Sequence, residues 1–99
     1  QYSDKTIKFY IDKNLKENSF FSAENKQSIL SENFFAQPHE VVFRSFSNVL
    51  RAIGKKYYSV RGKKIERIIE KIQKNTYLRA TLGGCIVEKV NHSVIISKE

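Results

Sequence analysis

"RGKKIERIIEKIQKNTYLRATLGGCIVEKVNHSVIISK", residues 61–98, changes its hydrophobic period part-way, and that change decides the fold. In its first half Ile65, Ile68, Ile69 and Ile72 fall at i, i+3, i+4 and i+7, the spacing of one helical face. The spacing predicts a helix over about 61–75, where Gly62 costs little because it lies in the first turn. Beyond "KNTYLRA" the apolar residues become β-branched: Ile86, Val87, Val90, Val94, Ile95 and Ile96. Two strands follow from this, about 81–90 and 93–98, with Asn91 and His92 in the turn of a hairpin. Gly83 and Gly84 inside the first strand predict a bulge or a close backbone approach.

Working back from this stretch, Val42, Phe46, Val49, Leu50 and Ile53 recur at i, i+4, i+7, i+8 and i+11. They predict a helix over about 38–54, with Pro38 in its first turn and Gly54 at C′. Ile7, Tyr10, Ile11 and Leu15 predict a shorter helix, about 4–16, with Phe9 off its apolar face. "ENSFFSAENKQS" (17–28) reads as a loop, and "ILSENFF" (29–35) as a short strand or an extended connection. The fold class is therefore α+β, a small helical domain followed by a C-terminal β-hairpin. A hairpin alone is marginal in water, so it must dock on the helices or on another domain. The whole of 1–99 reads as one domain: an N-terminal helix and loop to 36, then a helix–helix–hairpin module over 37–99.

Hydrophobic residues make up 40% of the chain, enough for a folded core. Apolar stretches are too short to span a bilayer and all are broken by charge, so no membrane role is expected. The N-terminus lacks the features of a signal peptide, and the chain opens on Gln1 rather than Met, as a piece of a longer protein would. A single Cys forms no internal disulfide, which fits a cytoplasmic setting. The net charge of +8 is unevenly placed. Residues 1–43 carry five Lys against six acids, and residues 44–79 carry eleven Lys and Arg against two Glu. Such a block is the footprint of a polyanion-binding surface.

No catalytic constellation can be assembled, and no catalytic or metal-ligating residue is expected. Cys85 reads as a packed thiol in a strand, His39 as a helix-start residue and His92 as a turn residue, with no metal-ligand spacing among them. Glu66 and Glu70, four apart, suit pairing with Lys63 and Lys74 better than acid–base chemistry. On the 61–75 helix, Lys63, Arg67 and Lys71 stack like charges along one edge, either as a solvated face or as a phosphate contact. The connection "KKYYSVRGKK" adds Lys55, Lys56, Arg61 and Lys64 around two tyrosines. Cations there would neutralise phosphates, and Tyr58 would either stack on an unpaired base or staple the two helices together.

"FRSFSNVLRAIGKKYYSVRGKKIERIIEKI" followed by "LRATLGGCIVEKVNHSVIIS" resembles the region behind the catalytic domain in bacterial tRNA(Ile)-lysidine synthetases. The matches are Leu50-Arg51-Ala52, Gly54, Lys56, Tyr58, Arg61-Gly62, Lys64, Glu66-Arg67 and Ala80-Thr81-Leu82-Gly83-Gly84-Cys85. They span about 40–97. Lys55 stands where the family has a second Gly, and Ser59-Val60 where it has Pro-Pro. The resemblance implies a parent ligase that adenylates the wobble cytidine of an isoleucine tRNA with a CAU anticodon, using ATP with Mg2+, after which lysine displaces AMP. The family's ATP signature, Ser-Gly-Gly-x-Asp-Ser, is absent from this chain, so the expectation is an accessory, non-catalytic, tRNA-binding module that sits beside the catalytic domain of the same chain and holds no cofactor itself. The expected tRNA contacts are Arg51, Lys55, Lys56, Tyr58, Arg61, Lys63, Lys64, Arg67, Lys71 and Arg79. Two alternatives stay open: a winged-helix-like DNA-binding module and a structural spacer.

Overall fold

A computed structural model describes residues 3–54 and 62–99. It contains α1 (Asp4–Asn18), β1 (Ser19–Ser22), β2 (Gln27–Leu30), a 3-10 turn (Glu32–Ala36), α2 (His39–Gly54), α3 (Gly62–Gln73), β3 (Arg79–Leu82), β4 (Cys85–Val90) and β5 (Ser93–Lys98). The α+β class is as expected, with three helices and an antiparallel C-terminal ribbon. The sheet is larger than a hairpin. Its five antiparallel strands run in the order β1-β2-β5-β4-β3.

The helices form where the apolar periods put them. Ser3 caps α1, its Oγ accepting from the Thr6 N–H at 3.2 Å, and Asp4 complements the positive end of the helix. Ile7 and Ile11 are buried against Val41 of α2, but Tyr10 faces outward. Its place on the inner stripe is taken by Asn14, whose Nδ2 donates to the Phe34 carbonyl at 3.3 Å. The five residues expected to line α2 are all buried, joined by Val41 and Ser45 on the flank that meets α1. On α3 the four isoleucines point into the core. Asn75 ends that helix in the left-handed region (φ 59°), with Thr76 N–H on the Lys71 carbonyl and Asn75 N–H on that of Ile72. This is a Schellman ending.

Three local readings are corrected. The segment expected to be a loop holds β1 and β2, and "ILSENFF" continues from β2 into the 3-10 turn that buries Phe34 and Phe35. Gly83 and Gly84 make neither a bulge nor a strand interior. Leu82 pairs with Cys85, so the two glycines are a complete two-residue turn, and both have the positive φ (60° and 80°) that a type I′ turn needs. Finally, Gly54 is the last residue of α2 rather than C′. A Cβ there would stand 2.2 Å from the Gly83 carbonyl oxygen, so glycine is needed for close approach of α2 to the β3–β4 turn.

Helices cover one face of the sheet, the face from which Leu30, Val94, Ile96, Cys85 and Val87 enter the core. The other face carries the cross-strand row Phe20–Ile29–Ile95–Glu88–Arg79. Among the described residues no helix packs on that row.

Candidate nucleic-acid interface

With about 100° between successive residues, the inward turn of the isoleucines fixes where every charge of α3 goes. One edge faces the start of α2 and the 3-10 turn. Glu66 Oε1 lies 3.5 Å from His39 Nε2, and Gln73 Nε2 donates to the Phe35 carbonyl at 3.1 Å. The pairing expected between Glu66 and Lys63 is therefore replaced by one with His39. Glu70 does pair with Lys74, at 2.9 Å, and the hydrogen bond and charge of that ammonium hold the Glu70 carboxyl below its usual range.

Lys63, Lys64, Arg67 and Lys71 occupy the remaining surface of α3, and all are exposed. Among the described residues none of the four has a carboxylate at salt-bridge distance. Lys64, Arg67 and Lys71 follow one another at i, i+3 and i+7, so their Cβ atoms are neighbours about 5–6 Å apart. Repulsion between neighbouring cations is thus left uncompensated, while both glutamates of the helix are engaged elsewhere.

Of the other expected contacts, Lys55, Lys56, Tyr58 and Arg61 lie outside the described residues. Arg51 is exposed on α2, its Nη2 donating to Asn48 Oδ1 at 3.0 Å. Arg79 does not join the group. It sits on the helix-free face of the sheet, in register with Glu88, whose carboxylate accepts from the Tyr77 hydroxyl at 3.3 Å.

Lys8 and Arg44 escaped the sequence reading. Both line a cavity of about 620 Å3 over α2, between α1 and the first turn of α3, and Arg51 lines it too. Arg44 is legible in retrospect as the residue two turns before Arg51. Lys8 is not, because it belongs to a segment of balanced charge.

Chemistry elsewhere is structural. Cys85 is fully buried and its Sγ donates to the Leu50 carbonyl at 3.3 Å; burial pushes the thiol pKa up. Lys89 is also buried. Its ammonium donates at 2.6 Å to Asn75 Oδ1 and to the Asn91 carbonyl, clamping the end of α3 to the β4–β5 turn. His92 pairs with Glu32 at 3.0 Å on the surface. Among the described residues there is no cluster of three or more His, Cys, Asp or Glu able to hold a metal ion, and no helix long and apolar enough to cross a membrane. No family model, no curated protein and no solved structure matches the chain.

Proposed function

We propose that this chain is a non-catalytic tRNA-binding module of a tRNA(Ile)-lysidine synthetase. It helps hold an isoleucine tRNA with a CAU anticodon while the catalytic domain joins lysine to the wobble cytidine with ATP and Mg2+. The observation that carries the reading is the edge of α3 formed by Lys64, Arg67 and Lys71. It is exposed, rich in like charge and without carboxylate partners among the described residues. A helix gains nothing in stability from such an edge, because like charges at i, i+4 are destabilising. A phosphate backbone supplies the missing counter-charge, and release of its condensed cations drives the binding. The resemblance of residues 40–97 supplies the kind of RNA.

Fluorescence anisotropy of the chain with isoleucine tRNA and with a duplex DNA, compared at matched salt over a series of salt concentrations, tests the reading. Tighter binding to tRNA, weakening steeply with salt, is expected. Preference for the duplex, or binding indifferent to salt, would refute it in favour of a DNA binder or a spacer.

A further inference from the structure

The surface over α2 combines features that the α3 edge lacks. The cavity of about 620 Å3 is in the size range of small-ligand sites. Phe43 and Ile65 give it an apolar floor, while Lys8, Arg44 and Arg51 stand on its walls, with Asp4 the one lining acid among the described residues. Arg44 is partly neutralised, since it pairs with Glu40 at 3.0 Å, but Lys8 and Arg51 have no carboxylate at salt-bridge distance among the described residues.

Two neutral groups add direction. Asn48 uses its Oδ1 to accept from Arg51, which leaves its NH2 as a donor. The neighbouring Ser47 spends its hydroxyl proton on the Phe43 carbonyl at 2.8 Å, which leaves its oxygen as an acceptor. An apolar floor, an adjacent donor and acceptor, and cations on the walls match the three parts of a nucleotide: base face, base edge and phosphate. A base locked in a duplex stack cannot offer its face this way, whereas an unpaired one can.

We propose that this groove receives one unpaired nucleotide of the bound RNA, with the base over Phe43, its edge toward Asn48 and Ser47, and its phosphate toward Lys8 and Arg51. The proposal rests on the tRNA-binding reading and deepens it, because it lets the module recognise loops or ends rather than any polyanion.

The test compares an RNA hairpin carrying a single-stranded loop with a blunt RNA duplex of the same stem, at matched salt over a series of salt concentrations. The wild-type chain is expected to prefer the hairpin by at least about fivefold, the lower end of what one base–aromatic stack contributes. Asn48→Trp, which fills the groove, abolishes that preference and leaves duplex affinity and its salt slope unchanged. Asn48→Ala removes the donor without filling the space and lowers the preference by a smaller factor. Circular dichroism checks that each variant is folded, and if Asn48→Trp is not, Asn48→Ala decides alone. Salt-dependent binding without hairpin preference, or an undiminished preference in the folded variants, overturns the groove proposal only. Absence of salt-dependent binding to either RNA overturns the tRNA reading along with it.

Discussion

Replacing Lys64, Arg67 and Lys71 together by Ala separates binding from folding, because the two are expected to move in opposite directions. Each cation that neutralises a phosphate contributes about 0.7–0.9 to the slope of log K against log salt. Losing three contacts therefore lowers the slope by about 2–2.7, and affinity at 0.1 M salt by roughly two orders of magnitude. Stability behaves otherwise. The triple change removes four like-charge neighbours, Lys63–Arg67, Lys64–Arg67, Arg67–Lys71 and Lys71–Lys74, each unfavourable by about 0.2–0.5 kcal/mol. It also exchanges three exposed residues for the best helix former. The variant should unfold in urea at a higher midpoint, by about 1 kcal/mol, while anisotropy titrations over a series of salt concentrations record the loss of tRNA. Glu66→Gln, on the edge that faces His39, is the control and should leave the slope within error. A triple variant whose salt slope equals that of the wild type would refute the assignment of this edge to phosphate.

Three further outcomes follow from the packing. Gly54→Ala should lower stability by about 2 kcal/mol, as an overpacked contact does, because its Cβ would collide with a backbone oxygen rather than with a movable side chain; thermal unfolding measures it. Cys85 should resist thiol reagents in the native state. Because burial raises its folded pKa, the unfolded chain loses the thiol proton first, so its contribution to stability is intact below about pH 8.5 and falls as pH rises beyond that. Urea midpoints at pH 7 and pH 10 should show this decline in the wild type and a shallower one in Cys85→Ala. Lys89→Met should cost about 2–3 kcal/mol, as two charge-assisted hydrogen bonds to Asn75 and Asn91 are lost, and amide exchange should quicken at the end of α3.

Much of the helical layer was legible because its apolar residues repeat at the helical period, and each stripe found on α2 and α3 is buried. β1 and β2 were not legible, for a physical reason. Phe20 and Phe21 are both exposed, so β1 carries no inside–outside alternation, and β2 is held largely by pairing with β5. A local pattern cannot report a partner so distant. The glycines were legible as special positions but not in their roles. A bulge and a type I′ turn both call for positive φ, and only the pairing of Leu82 with Cys85 separates them. For the candidate site, charge counting located the basic block. The turning of Glu66 toward His39 depends on a contact between two helices, and the placing of Lys8 and Arg51 around one cavity on another, so neither is written in one segment.

The position of β5 bears on how the molecule is made. Its partner residues in β2 are 64 to 70 positions earlier in sequence, from Leu30 with Val94 to Gln27 with Ser97. During synthesis the β1–β2 ribbon must therefore wait, with one edge of β2 unpaired, until residues 93–98 leave the ribosome. Closure across such a span delays the non-local pairing, and the waiting strand edge is open to other chains meanwhile. A version ending at Asn91 would retain every helix and most cations, yet would leave two ribbons with nothing to join them.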